Sequence, residues 1–460
     1  MHNEKLKRTV QKYTLRIDPE RIISFGYKSA NPQRQLVVGY LGYSILGTLA
    51  LMLPFATKGD ISFIDNLFNA VSALSTTGLA NADLAKDYTF FGQLVILLLI
   101  QIGGLGYMTL SSFIMLRITH HLGNFKNNMF GAQFSFPQDM PNEAMIKNIV
   151  RFVFFFEIGG TVLLYPYFAW KGMDQPLWSA LFHSVSAFCT AGFSIYSDNL
   201  VSLQCDYYAN IIIIVLSYMG AMGFIMMTDI LHKFTRKNHR ISFTTKVIIC
   251  ITCLLSLWCT IHLFFFEPSL QHYDVGDRIL ISLFQSMSAM TTVGYNTVDL
   301  SNMIPISLLI LSLAMYIGAS PSGTGGGLKS TTLSAIYAYT KNKLGLRKDV
   351  SLMNHIIPDY RVESAITTFI FYTFILFFGI YLMALFEPSD TDFLKIIFEA
   401  SSALATAGLT CGILSSATLG SKIILIILMF IGRIGVITLG NVLLIRSVKR
   451  NRLKKDDLIV

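Results

Sequence analysis

Charge is what this sequence has least of. Of its 460 residues only 14% are Asp, Glu, Lys or Arg, while 53% are hydrophobic. A soluble chain carries about 25% charge, so there are too few charges here to cover a water-facing surface. The length therefore does not mean several soluble domains. The same numbers exclude disorder, collagen and a small disulfide scaffold. What the chain has instead is long uncharged runs.

Residues 35–57, 88–116, 207–228, 247–266, 300–328 and 364–386 contain no Asp, Glu, Lys or Arg. A helix crosses a bilayer with about 20 apolar residues. Two more apolar runs carry one internal charge each, 152–170 with Glu157 and 423–445 with Arg433. Eight crossings are expected. The first 34 residues hold eight Lys/Arg against three acids and show no h-region of a cleavable signal peptide.

The excess of 36 basic over 27 acidic residues lies in alternate connections. It is in the N-terminal tail, in 233–246 (Lys233, Arg236, Lys237, Arg240, Lys246), in 341–348 (Lys341, Lys343, Arg347, Lys348), and in the C-terminal tail from Arg446. The intervening connections lean acidic, with Asp83, Asp87, Asp198, Asp206, Glu267, Asp274, Asp277, Glu387, Asp390 and Asp392. The positive-inside rule then predicts a multi-pass protein with both termini cytoplasmic, which an even number of crossings also requires. The basic clusters are topology signals in the first place, and no nucleic-acid partner is expected. Cys250, Cys253, Cys259 and His262 share one apolar run. One straight helix cannot wrap four ligands around an ion, so the cysteines read as small membrane-core residues.

An internal repeat organises the chain. The segments 68–80 (FNAVSALSTTGLA), 182–194 (FHSVSAFCTAGFS), 284–296 (FQSMSAMTTVGYN) and 398–410 (FEASSALATAGLT) share Phe at the first position. They share Ser-Ala at the fifth and sixth, Thr at the ninth and Gly at the eleventh. Gly78, Gly192, Gly294 and Gly408 are 114, 102 and 114 residues apart. Each copy lies between two long apolar runs and follows cap-like residues: Asp60 and Ser62, Pro176, Asp274 and Asp277, or Thr391 and Asp392. Three of the following runs carry a spaced glycine pair, Gly103/Gly106, Gly220/Gly223 and Gly432/Gly435; the third carries a Gly-rich run instead.

The pattern predicts an all-α integral membrane protein of four span–pore-helix–span repeats: eight transmembrane helices and four re-entrant half-helices around a central pore. The repeats would occupy 35–120, 145–235, 243–340 and 362–446, between basic tails 1–34 and 447–460. Each half-helix would end in an extended strip whose carbonyls cannot face lipid. Four strips around one axis point rings of oxygens at a cation in place of its water shell, helped by the negative ends of the half-helices. Gly at the third strip position accepts backbone angles that a Cβ resists.

The third strip, Thr292-Val293-Gly294-Tyr295, matches the start of the potassium-channel TVGYG filter. The complete pattern resembles the Trk/Ktr/HKT superfamily of potassium transporters, over residues 35–446, and within it the bacterial Ktr membrane subunits. The resemblance implies a selectivity filter of Thr76, Thr77 and Gly78; Thr190, Ala191 and Gly192; Thr292, Val293 and Gly294; and Thr406, Ala407 and Gly408. Potassium would lie at the carbonyls of the four glycines. Some plant members conduct sodium and carry Ser for the first of them; all four are Gly here. The resemblance also implies a plasma-membrane homodimer on a cytoplasmic ring of nucleotide-binding regulatory subunits. It implies no bound cofactor, K+ as the transported ion and Na+ as a candidate coupling ion. A sodium-coupled or sodium-conducting transporter of the same fold is the alternative.

Asn69, His183, Gln285 and Glu399 stand at one position of the four half-helices and are all polar. They read as hydrogen-bond supports behind the filter. Arg433, in mid-span, faces a cavity or pairs with an acid such as Glu399. Glu157 is expected to pair with Arg151 or to snorkel. The run GASPSGTGGGLK from Gly318 to Lys329 approaches a P-loop but has Leu328 where that motif needs its second Gly, and it interrupts a membrane run. Gly318, Ser320, Gly323, Gly325, Gly326 and Gly327 hold a helix poorly; they read as a gate below the filter, latched by Arg433. A carrier would show two related halves and charged mid-membrane ligands. An enzyme would show a nucleophile with a base. The chain shows neither.

Overall fold

The computed structural model describes residues 32–106, 109, 142–235 and 240–444. The tails 1–31 and 445–460, and the connection 110–141, lie outside the described residues, as does most of the two tail domains expected from the sequence. The described chain is almost wholly helical. In chain order the first unit comprises α1 (Pro32–Leu51), α2 (Phe63–Leu74) and α3 (Phe90–Leu105). The second comprises α4 (Asn142–Trp170), α5 (Pro176–Phe188), α6 (Tyr207–Ala221) and α7 (Phe224–Thr235). The third comprises α8 (Phe243–Phe266), α9 (Val275–Thr291), α10 (Pro305–Ile317) and α11 (Ser330–Leu344). A two-stranded hairpin, β1 (Ser351–Leu352) and β2 (His355–Ile356), leads to the fourth: α12 (Asp359–Phe386), α13 (Phe393–Leu404), α14 (Leu419–Ile434) and α15 (Val436–Leu444). In three units a short helix lies between two longer ones; in the third the middle helix, α9 with 17 residues, is longer than α10 with 13.

By length and composition α8, α12 and the Ile146–Trp170 part of α4 are long and apolar enough to cross a bilayer. The pairs α6–α7 and α14–α15 pass the same test together but are bent by 101° and 97°. Among the described residues that makes three candidate crossings, or up to five if each bent pair is one span, with α3 and α10 as shorter apolar helices. The runs 207–228 and 423–445 are therefore not straight spans. The cause is local. Gly106, Gly223, Gly318 and Gly435 follow α3, α6, α10 and α14 with φ of 75°, 84°, 55° and 91°, a region where L side chains are strained. Sequence marked only the third of these helices as broken. All four end at a left-handed glycine.

The short helices form the centre. Their first residues of the shared pattern, Phe68, Phe182, Phe284 and Phe398, are fully buried. Three of the four starts are built as the sequence suggested, whereas Asp274, at the N-cap of α9, makes no side-chain cap hydrogen bond. Ser62 accepts from the Asp65 amide, Pro176 opens α5, and Asp392 accepts from the Leu394 amide. Around them the long helices leave large apolar side chains exposed, among them Phe155, Val162, Leu254, Leu257, Phe374 and Phe377, which suits a hydrocarbon solvent.

Close approach of long to short helices depends on residues without a side chain. A Cβ on Gly160 of α4 would meet Ser184 Oγ of α5 and the Leu216 side chain of α6, whereas one on the adjacent Gly159 would meet nothing within 4 Å. Gly160→Val is expected to destabilise the protein by about 1–3 kcal/mol through overpacking. Gly159→Val, with the same β-branched side chain on the open face, should stay within about 0.5 kcal/mol. Thermal unfolding in detergent distinguishes the two.

Candidate functional site

The four short helices end alike. The amides of Thr77, Ala191, Val293 and Ala407 donate to the carbonyls of Ser72, Ser186, Ser288 and Ser402 at 2.8–3.1 Å. The amides of Thr76, Thr190, Thr292 and Thr406 donate to those of Ala73, Ala187, Ala289 and Ala403 at 3.1–3.3 Å. These are the two bonds of a Schellman cap, whose left-handed position usually takes Gly. Here Thr takes it, at φ of 53°, 51°, 56° and 50°. A β-branched residue held there four times is stored backbone strain, of order 1–3 kcal/mol each. The shared Ser-Ala and Thr of the sequence pattern are the donors and acceptors of this cap.

Two residues on, Gly78, Gly192, Gly294 and Gly408 are again left-handed, at φ of 99°, 63°, 88° and 82°. In an ordinary strand successive carbonyls point to opposite sides. Alternating the sign of φ instead turns successive carbonyls toward one side. The strips also meet each other in cyclic order. A Cβ on Gly78 would strike the Ala191 carbonyl, one on Gly192 that of Val293, one on Gly294 that of Ala407, and one on Gly408 that of Thr77. All twelve residues expected from the sequence thus come together in one closed ring, and a Cβ at any of its four joints would force the neighbouring strip's carbonyl to shift.

Behind the ring stand the four polar supports, all fully buried. Asn69 Oδ1 accepts from the Asn81 amide at 3.0 Å, and His183 Nε2 is 2.9 Å from Ser194 Oγ. Gln285 Nε2 donates to Thr297 Oγ1 at 3.1 Å, and Glu399 Oε1 accepts from Thr410 Oγ1 at 2.5 Å and the Cys411 amide at 3.0 Å. Each ties its helix to the chain just past the glycine of its own strip. At the outer rim the Lys422–Asp65 ion pair, 2.8 Å long, joins the fourth unit to the first. In the connection after the first strip, burial raises the pKa of Asp83. Hydrogen bonds from Ser197 and the Ala85 and Lys86 amides, with the Lys86 ammonium, outweigh it and hold the carboxyl below its ordinary value.

The Gly-rich run crosses directly beneath the strips. Gly318 stacks on Gly326 and Gly327, and the Ala319 amide donates to the Gly326 carbonyl at 3.0 Å. The Ser320 amide donates to the Ala221 carbonyl, and Gly323 packs on that same carbonyl. A Cβ on Gly325 would meet the Thr291 carbonyl and Thr292 Oγ1. Gly326 lies against the Ala405 carbonyl and donates its amide to Thr292 Oγ1 at 2.8 Å. Arg433 donates to the carbonyls of Thr324 and Gly103; it does not pair with Glu399, so of the two expected arrangements the structure has the carbonyl one. On the far side of the run lies a cavity of about 320 Å³, lined by Tyr40, Gly103, Gly325, Lys329 and Arg433 among others and by no strip residue.

Two residues escaped the sequence reading, and the expectation for a third, Glu157, is overturned. Lys329 Nζ donates to the Gly325 carbonyl at 2.7 Å, and the only signal was its place at the end of a failed P-loop. Thr324 is the hub of the run: Thr190 Oγ1 donates to its hydroxyl at 3.1 Å, Thr76 Oγ1 approaches its carbonyl at 3.5 Å, and its own hydroxyl donates to the Phe188 carbonyl. Among glycines it drew no notice. Glu157 neither snorkels nor meets Arg151. It is buried and accepts from Gln101 Nε2 at 3.2 Å and Cys189 Sγ at 3.5 Å.

A family model described as TrkH, cation transport protein, matches residues 27–452. The chain belongs to the TrkH cation transport family. It is 33% identical over 423 residues to the Ktr system potassium uptake protein B of Bacillus subtilis (strain 168), covering 88% of this chain and 92% of that protein. It is 32% identical over 415 residues to the protein of the same name from Vibrio alginolyticus, covering 89% and 90%. With the potassium/sodium uptake protein NtpJ of Enterococcus hirae it shares 30% over 437 residues, covering 91% and 94%. The crystal structure of the potassium transporter TrkH from Vibrio parahaemolyticus superposes with a TM-score of 0.71 at 20% identity, over 91% of this chain and 86% of that one, and so shares the fold. This TrkH-family chain is accordingly a multi-pass membrane transporter and not an enzyme.

The support geometry has a direct consequence in this TrkH-family member. Glu399→Ala leaves the Thr410 hydroxyl and the Cys411 amide without their acceptor and is expected to cost about 1–3 kcal/mol. Glu399→Gln keeps an acceptor oxygen in place and should cost less than half of that. Unfolding curves of the two variants in detergent provide the check.

Proposed function

We propose that this chain carries potassium into the cell across the plasma membrane, through the ring of four strips acting as a selectivity filter. The observation that carries the reading is the ring closure: four left-handed glycines, each seated against the next strip's carbonyl. Such a ring offers layers of carbonyl oxygens at one axis, which replace the hydration shell of a weakly hydrated cation. In this reading each repeat contributes two crossings and one re-entrant helix, with both termini cytoplasmic. The second crossing of each repeat turns at its glycine. Potassium uptake in the names of the Bacillus and Vibrio relatives supports the choice of ion.

The run 318–327 is the gate and Arg433 its latch. The run lies between the strips and the cavity, and Arg433 and Lys329 both bind its carbonyls. Two cations at that depth, neither in an ion pair among the described residues, add a positive barrier to the obstruction. A separate cytoplasmic nucleotide-binding subunit would control the gate, and the protein would work as a homodimer; the word system in the names of the Ktr relatives supports such an assembly. The basic stretches at 233–246 and 341–348 offer that subunit a docking charge. A sodium-coupled mode is favoured by one observation alone, the potassium/sodium name of the Enterococcus relative.

Rubidium and sodium influx into liposomes holding the purified protein tests the reading. Gly78→Ser should reduce the preference for rubidium over sodium about tenfold, the scale of roughly 1.4 kcal/mol of differential binding, in a protein that still folds. Unchanged selectivity would refute the filter assignment. Removing three of the glycines in 323–327, or Arg433→Ala, should raise rubidium influx about tenfold in the absence of any partner. A shortened run that conducts no faster would refute the gate. Sodium on the inside of the liposomes, or none anywhere, leaves the rate unchanged unless the transport is sodium-coupled.

A further inference from the structure

The glycine run is held by more than its latch. Its backbone is seated on the elbow between α6 and α7, a segment of the second repeat. The Ser320 amide donates to the Ala221 carbonyl at 3.2 Å, the Thr324 amide to the Gly220 carbonyl at 3.1 Å, and the Phe224 amide to the Ser322 carbonyl at 3.2 Å. The two segments thus exchange backbone bonds in both directions. Gly223 makes the seat possible. A Cβ there would lie 2.5 Å from the Pro321 carbonyl and 2.9 Å from the Gly323 amide, at a φ of +84°. Gly220 packs on the Phe188 carbonyl and would put a Cβ 2.8 Å from Thr324 Oγ1. The corresponding elbow of the fourth repeat is different: a Cβ on Gly435 would have Thr438 Oγ1, at 4.0 Å, as its nearest neighbour, with no atom of the run nearer.

The elbow is also mechanically placed. Beyond it, α7 is tied to the start of α8 by Asp229 Oδ2, which accepts from the Ser242 amide at 2.7 Å. At the next residue Phe243 stacks on His355 of the hairpin, with centroids 4.6 Å apart. The hairpin is bound in turn to α11, where Asn342 Nδ2 donates to the Ser351 carbonyl at 2.8 Å. α11 is the helix that leaves the run. The seat of the run and its exit helix are therefore joined through the first turn of α8.

We propose that the α6–α7 elbow, through Gly220 and Gly223, is the positioning element of the gate, and that displacement of α7 unseats the run. This rests on the reading of 318–327 as the gate. It assigns the larger part of the closed state's backbone bonding to the second repeat, with Arg433 of the fourth as a side-chain clamp. Movement at the cytoplasmic end of α7 or α8 would then open the pore without any contact to the run itself.

The test compares Gly223→Ala with Gly172→Ala. Gly172 has a similar φ of +71° but nothing within 4 Å of its added Cβ, so it carries the backbone strain without the seat. In full-length protein in liposomes without a partner, Gly223→Ala should raise rubidium influx about tenfold, the effect of losing one or two such hydrogen bonds in the closed state. Gly172→Ala should match the parent. If Gly223→Ala conducts like Gly172→Ala while the run-shortened protein is fast, the elbow proposal is overturned and the gate stands. If the shortened protein is no faster, both fall. Should Gly223→Ala not fold, hydrogen–deuterium exchange on the unmodified protein decides. Peptides covering 219–226 and 318–328 should exchange in step; exchange of the second while the first stays protected overturns the seat.

Discussion

A backbone carbonyl or amide in hydrocarbon must have a partner, and nearly everything in this structure answers to that constraint. Four strips of irregular backbone lie at the centre of an otherwise apolar protein. Each survives because its helix ends in a Schellman cap and because a polar side chain ties down the segment beyond it. The alternating sign of φ turns successive carbonyls of each strip to one side. A carbonyl held there without a protein partner can replace the water of an ion, which is what the proposed filter requires.

Glycine does two separate jobs here. At Gly78 and its counterparts it accepts a left-handed conformation and admits the neighbouring strip. At Gly103, Gly220 and Gly432 it lets the second long helix touch the last carbonyl of the short one, those of Leu74, Phe188 and Leu404. In the third repeat Met315 stands at that place, and Gly325 of the run packs one residue further along, against the Thr291 carbonyl. The repeat that looked exceptional in sequence thus departs from the packing of the other three, with a loop where they have a helix. That difference brings a glycine-rich segment directly beneath the strips.

The threonines add strain to this arrangement. A Gly would fill the left-handed cap position at less cost, so their hydroxyls must matter to the assembled site. Three of the four already have a role: those of Thr76 and Thr190 turn to Thr324, and that of Thr292 accepts from the Gly326 amide. The Thr406 hydroxyl is buried without a partner. The run thus occupies most of the inner polar ring when it lies in place.

Sequence alone determined the features written in short windows. Uncharged length marked the membrane class, the shared Phe, Ser-Ala, Thr and Gly marked the fourfold unit, and cap residues marked where the short helices begin. The polar supports and Arg433 stood out because polarity inside an apolar run is costly. Tertiary structure decided what depends on segments far apart in the chain. Arg433 meets Gly103 across 330 residues and Thr324 across 109, where its own helix neighbourhood suggested Glu399 equally well. The cyclic order of the strips, the partners of Glu157, the carbonyls under Lys329 and the elbow beneath the run are of the same kind. A local pattern states that a residue needs a partner. Which carbonyl or carboxylate becomes that partner is settled only when the four repeats pack against one another.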